Sequence, residues 1–219
     1  IFDAGYKKVP RHHQFNGVKA AQERIRRHEG GVIWHTQGSG KSILMVLLAK
    51  WLLEHDPEAR ILVVTDRDEL DKQIEGVMKN AGVIGESSPS PRILNRAEFV
   101  AKLGASTPRL LCALLHKFDS TDLKGPSPPV HGRFYVFVDE CHRSQGGDMN
   151  KQMKRWLEHA IFIGFTGTPL LIKDADKLRT HDIFGSYIHT YKFHEAVADK
   201  VVLDLKYEAR NVPQQLTST

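Results

Sequence analysis

Short runs of apolar, β-branched residues recur along the chain, each separated from the next by a stretch of helical spacing or a polar turn. Val32–Thr36 (VIWHT), Ile61–Thr65 (ILVVT), Leu110–Leu115 (LLCALL), Phe134–Val138 (FYVFV) and Ala160–Phe165 (AIFIGF) each read as a buried strand. They are short and apolar at successive positions, the pattern of strands covered on both faces. Lys41–Glu54 predicts a helix that stops near Pro57. Asp66–Asn80 predicts a second, with acidic residues in its first turn and Gly82 past its end. Asn95–Leu103 predicts a third, capped by Asn95. Alternation of such strands and helices indicates an α/β domain in three layers with a mostly parallel central sheet. Gly85–Pro91 and Gly125–Gly132 are too rich in Pro, Ser and Gly to pair in a sheet and predict surface loops. Past Val201 the apolar pattern thins out. One domain is therefore expected over residues 1–203, with 204–219 a linker or the start of another domain.

Composition narrows the class. At 219 residues and 41% hydrophobic, the chain can build one domain with a true core. No apolar run approaches the roughly 18–20 residues needed to cross a bilayer, so no membrane partner is expected. The two cysteines, Cys112 and Cys141, form no pair motif, which fits a reducing cytoplasm. A net charge of +5 leans weakly toward a polyanionic partner. With no initiator methionine, the chain reads as a piece excised from a longer protein.

Four segments carry chemistry. Thr36-Gln37-Gly38-Ser39-Gly40-Lys41-Ser42 lies between a predicted strand and a predicted helix. Glycines there let successive backbone N–H groups converge on phosphate oxygens, and the helix N-terminus adds a positive dipole end. Lys41 would neutralise β- and γ-phosphate charge, and the Ser42 hydroxyl would ligate Mg²⁺. Asp139-Glu140 ends the strand FYVFV. Ligand sites of parallel sheets lie off the carboxyl ends of strands, so the pair belongs beside the glycine-rich turn. Asp139 would hold the magnesium shell, and Glu140 would orient and deprotonate the attacking water. Thr166-Gly167-Thr168-Pro169 ends another strand, where Thr166 and Thr168 can hydrogen-bond the carboxylates or the water. Finally, Arg11-His12-His13-Gln14 precedes the turn. The Gln14 amide can pair bidentately with the N6 and N7 edge of adenine, selecting ATP, with Arg11 beside it. Cys141 and His142, taken with His35, form only an irregular metal set, and Cys141 is better read as a small packed residue.

These segments together resemble a superfamily 2 helicase or translocase, a P-loop NTPase with a RecA-like domain. More specifically they are similar to the motor of the restriction (R) subunit of type I restriction enzymes. The resemblance rests on Arg11–Gln14, Gly30–Ser42, Leu62–Leu70, His116–Phe118, Val138–Gln145 and Phe165–Leu170, and extends to Phe184-Gly185 and Tyr187–Val197. That family usually has Ala where Cys141 stands. His35, where a full phosphate-loop pattern has Gly, is ordinary for the family. The resemblance implies ATP and Mg²⁺ as ligands, and places His142 with the catalytic set. It implies nucleic-acid backbone contacts at Thr65, Arg67 and Lys117, which stand at strand ends. It implies double-stranded DNA as track, and methyltransferase and specificity subunits as partners. The chain holds no Glu-x-Lys triplet of a restriction nuclease and no second arginine-bearing helicase motif after Gly167–Pro169. It is therefore expected to be the first RecA-like half of the motor and weakly active alone. Two other readings stay open: another helicase of superfamily 2 acting on DNA or RNA, and a nucleotide-switched protein-binding module.

Overall fold

The computed structural model describes residues 2–3, 6–65, 75–76, 78–80, 82–85, 90–114, 126–141, 153–170 and 180–205. A short antiparallel pair, β1 (Phe2–Asp3) and β2 (Tyr6–Lys7), opens the chain. Helix α1 (His12–Arg26) leads into β3 (Gly31–His35), and α2 (Lys41–His55) into β4 (Ala59–Thr65). Then follow β5 (Arg92–Ile93), α3 (Arg96–Gly104), β6 (Leu110–Leu114), β7 (Arg133–Val138) and β8 (Ile161–Thr166). Helix α4 (Thr180–Phe184), β9 (Tyr187–Tyr191) and α5 (Phe193–Ala198) complete the described elements.

Strands β3 to β9 form one sheet of 7 strands in the order β5-β6-β4-β7-β8-β3-β9, and every described pairing in it is parallel. Side chains alternate across a strand, so each apolar run feeds two cores. Ile33, Ile61, Val63, Phe137, Ile163 and Phe165 pack with α1 and α2 on one face. Val32, Leu62, Val64, Val136, Val138 and Phe162 pack with α3, α4 and Trp156 on the other. This is the three-layer, parallel α/β arrangement that the pattern predicts. All seven residues of β4 are buried, including Arg60.

Helix ends follow local chemistry. The Asn95 side chain accepts the Glu98 N–H at 2.9 Å and starts α3. Helix α2 ends at Asp56, just before Pro57, as its sequence predicts. Of the predicted helix Asp66–Asn80, residues 66–74 and 77 lie outside the described residues, and 75–76 and 78–80 are helical. Everything past residue 205 is also outside them.

Candidate active site

Register brings the motifs to one end of the sheet. Val138, Gly164 and Val32 are partners in one row across β7, β8 and β3, and Thr166 pairs with Trp34. Asp139-Glu140, Thr166-Gly167 and Thr36-Gln37 begin one to four residues further along the strands. The acidic pair, the threonine motif and the glycine-rich turn therefore leave adjacent strand ends, at the carboxyl side where such sheets bind ligands.

The turn from Thr36 to Gly40 reverses the chain tightly. Ser39 N–H and Oγ both donate to Thr36 O, at 3.3 and 2.6 Å. Gly38 and Gly40 have φ of 79° and 84°, left-handed values that favour glycine. Gly40 is also the N-cap of α2, so the helix begins at Lys41. Lys41 Nζ lies 3.4 Å from His35 O and 3.8 Å from Glu140 Oε1, bridging the turn and the end of β7. Asp139 is buried and its N–H donates to Val64 O at 2.9 Å, which locks the strand end. Glu140 has φ 42°, a left-handed conformation that costs a side-chain-bearing residue on the order of 1–2 kcal/mol. Its carboxylate turns toward Lys41, and the next N–H, of Cys141, donates to Phe165 O at 3.1 Å.

Gly167 closes the third side. A Cβ there would stand 3.1 Å from Gln37 N and 3.4 Å from Lys41 Nζ. Trp34 Nε1–H donates to Gly167 O at 3.2 Å, tying β3 to the threonine motif. Thr166 is fully buried, and its Oγ1 accepts the Thr168 N–H at 3.1 Å.

Behind the turn lies a polar cluster. His35 is fully buried, with Nε2 2.8 Å from His189 Nδ1. Burial, then neighbouring His189, His13 and Lys41, hold its imidazole down to about 3, so it is neutral at physiological pH. Cys141 is buried, and its Sγ fills the space a Cβ on Gly164 would need. Burial, then the Glu140 and Asp139 carboxylates, push its thiol far above the usual range. It packs beneath the acidic pair as a small side chain.

Two expected contacts stand differently from their sequence reading. The Gln14 amide is buried and points at the turn: Nε2 donates to Ser39 O at 3.0 Å and Gly40 O at 3.3 Å, while Oε1 accepts from Arg11 N–H at 2.8 Å. Bidentate pairing with adenine requires a free amide N–H, and in this arrangement both are taken. Thr65 is fully buried at the end of β4, its hydroxyl without a hydrogen-bond partner among the described residues. Arg67, Lys117 and His142 lie outside the described residues. Ser42 stands in the first turn of α2, half-buried. Sequence reasoning gave no individual role to His13, within the Arg11–Gln14 segment, or to Tyr191; His13 Nε2 lies 2.9 Å from Ser39 O, and the Tyr191 ring stacks on it. Neither belongs to an apolar periodicity or a glycine-rich motif that would mark it.

The model of the SWI2/SNF2 ATPase family matches residues 13–219. The chain is 32% identical to the type I restriction enzyme HindI endonuclease subunit of Haemophilus influenzae, over 92% of this chain and 21% of that protein. It is 31% identical to the putative type I restriction enzyme MjaIXP endonuclease subunit of Methanocaldococcus jannaschii, over 97% and 21%. The chain thus spans about a fifth of the length of the curated relatives it matches. Among solved structures it resembles the fragment of a putative HsdR subunit of a type I restriction enzyme from Vibrio vulnificus, with TM-score 0.58 and 20% identity, covering 89% of this chain and 32% of that one. It also resembles the Sulfolobus solfataricus SWI2/SNF2 ATPase core in complex with dsDNA, with TM-score 0.57 and 17% identity, covering 88% and 39%. At these identities the structural likeness is one of fold. The family match leaves only the first residues outside it, and the chain belongs to the SWI2/SNF2 ATPase family.

Proposed function

We propose that this chain is the ATP-hydrolysing motor domain of a type I restriction endonuclease R subunit, and that it drives translocation along double-stranded DNA. The observation that carries the reading is Lys41 Nζ at 3.8 Å from Glu140 Oε1, across a turn whose third side is Gly167. A cation on an anion-binding turn, a carboxylate facing it, and a glycine leaving room between them fit a phosphate chain and an attacking water.

In this reading the backbone of Gly38–Ser42 binds the phosphates and Lys41 neutralises their charge. Glu140 orients the water and takes its proton as it attacks the terminal phosphorus. Thr166 and Thr168 stand at the same end of the sheet, and His142 is a proposed member of the catalytic set. Ser42 and Asp139 would hold a magnesium ion, which supplies further charge neutralisation at the phosphates. The donor set suits it, being a hydroxyl at the start of the helix after β3 and a buried carboxylate at the end of β7, with β8 between them. Arg11 and Gln14 support the nucleotide end of the turn. Arg67 and Lys117 are the proposed contacts to the DNA backbone, and the methyltransferase and specificity subunits the proposed partners in a cytoplasmic complex. Support for these comes from the relatives, which are subunits of type I restriction enzymes, and from a fold neighbour solved with dsDNA.

Nucleotide titration and steady-state hydrolysis on the intact protein with DNA test the reading. Lys41→Ala is expected to abolish ATP binding. Glu140→Gln is expected to keep binding and lower turnover by roughly 10²–10⁴-fold, the contribution of a positioned general base. Equal ATP affinity in Lys41→Ala and the parent would overturn it.

A further inference from the structure

One group of side chains grips the glycine-rich turn from behind. Tyr191, the last residue of β9, is buried and meets the turn once directly and once through His13. Its carbonyl accepts the Thr36 N–H at 2.9 Å, where β3 gives way to the turn. Its ring lies flat on the His13 imidazole, with centroids 3.9 Å apart and planes 4° from parallel. His13 then reaches the far side of the turn with Nε2 2.9 Å from Ser39 O. A carbonyl only accepts, so that nitrogen carries the proton. The Tyr191 hydroxyl donates to Asp199 Oδ2 at 2.8 Å, at the C-cap of α5. Just beyond, Val202 Cγ1 stands 3.4 Å from where a Gly38 Cβ would lie, so the segment after α5 touches the turn a second time.

The consequence follows from the planarity of the peptide. In a trans peptide unit the C=O and the following N–H point in opposite directions. Drawing the Ser39 carbonyl back toward α1 therefore turns the Gly40 N–H toward the open side of the turn. Gln14 Nε2 shares the same carbonyl, and a Cβ on Gly40 would stand 2.3 Å from it. An anion-binding turn works only when its successive N–H groups converge. The direction of this one peptide is thus a determinant of phosphate affinity.

We infer that His13 and Tyr191 are positioning residues of the phosphate-binding turn. Through the chain Asp199–Tyr191–His13–Ser39, strand β9 and helix α5 set the peptide that presents the Gly40 N–H to the nucleotide's phosphates. The inference rests on the nucleotide reading above and adds to it residues that touch no ligand themselves.

The test is competition binding of ATP and of inorganic tripolyphosphate to the intact protein, with thermal midpoints measured without nucleotide. His13→Phe keeps a ring for the stack and removes the donor. It is expected to weaken ATP and tripolyphosphate by the same factor, roughly 5–10-fold, the loss of one hydrogen bond. Its nucleotide-free midpoint is expected to match the parent. His13→Gln, whose amide N–H has the reach of Nε2, is expected to recover most of the affinity. Tyr191→Phe, which releases only Asp199, is expected to weaken both probes by roughly 2–3-fold. ATP affinity at the parental level in His13→Phe overturns the inference. So does a loss confined to ATP, and so does a loss that His13→Gln fails to relieve. If the unaltered protein binds no ATP, the nucleotide reading falls. If Lys41→Ala abolishes binding while His13→Phe equals the parent, only the positioning inference falls.

Discussion

At the amino ends of β4, β6 and β7, buried charge is tied to carbonyl groups. Arg60 donates to Leu103 O, His131 O, Lys102 O and Pro108 O, with its guanidinium 4.8 Å from the Phe134 ring centre. Arg109 donates to Ala59 O, Leu53 O and Asp56 O, while the Asp56 carboxylate accepts from Arg133 and Tyr135. At the carboxyl ends of β3, β7 and β8 the polar groups are arranged around a turn instead. There two glycines and Glu140 hold left-handed φ, and Lys41 leans across a gap toward Glu140. The first end joins chain segments through guanidinium Nη groups that already have acceptors. The second holds backbone in conformations that neighbours must impose, and such outliers cluster where a protein does chemistry. Stability and function should therefore respond separately to changes at the two ends.

The sharpest test of that separation is Arg60→Leu. It leaves several carbonyls around a buried site short of a donor, and each such group costs about 1–3 kcal/mol. A loss of about 3 kcal/mol and a fall in thermal midpoint of about 10 °C are expected. ATP affinity measured well below the new midpoint should stay at the parental value, and a parallel fall would show that the two ends are not separable.

Acid should act mainly on the other end. The His35 imidazole is held down to about 3 in the folded chain, below its unfolded value, chiefly by burial. Between those values the unfolded chain binds a proton that the folded chain refuses, so stability rises with pH across that window. Stability is full above about pH 6.5 and is lost as pH falls toward 3. Going from pH 6.5 to 5 should remove up to about 2 kcal/mol. Urea unfolding at the two pH values measures it, and His35→Gln should flatten the slope. His189, lowered first by its own burial, acts with the same sign.

The smallest effect should come from Gly167→Ala. Its Cβ would press to 3.1 Å on Gln37 N, so the turn must give by a few tenths of an ångström. Loss of roughly 5-fold in ATP affinity, with little change in midpoint, is expected from a disturbance comparable to one hydrogen bond. A midpoint that falls while affinity holds would assign Gly167 to packing.

Most of the sheet is legible in the sequence because its strands are buried on both faces. The run VIWHT falls within a residue of Gly31–His35, and FYVFV and AIFIGF fall inside or one residue off β7 and β8. The turn and the acidic pair are legible because glycine, lysine and paired carboxylates have local signatures. What escapes is set by distant contacts. Strand β9 lies at an edge, half-covered and mixed in polarity, so it shows no apolar run. Helix α1 buries His13, Gln14 and Gln22, polar residues that hide its inner face from a hydrophobic reading. Strand β4 begins at Ala59, two residues before its apolar run, because the Nη1 and Nη2 groups of Arg60 donate to carbonyls 42 to 71 residues away in the chain. Only the folded arrangement reveals those bonds.

The seating of Cys141 against Gly164 has a practical side. A thiol needs its ionised form to react, and burial beside two carboxylates withholds that form although the residue adjoins Glu140. Cys112 is likewise enclosed within the sheet. Maleimide reagents should therefore pass over both native sulfurs. A single cysteine introduced on the surface would give one defined attachment point for a dye, and motion of the chain could be followed without first stripping it of its own thiols.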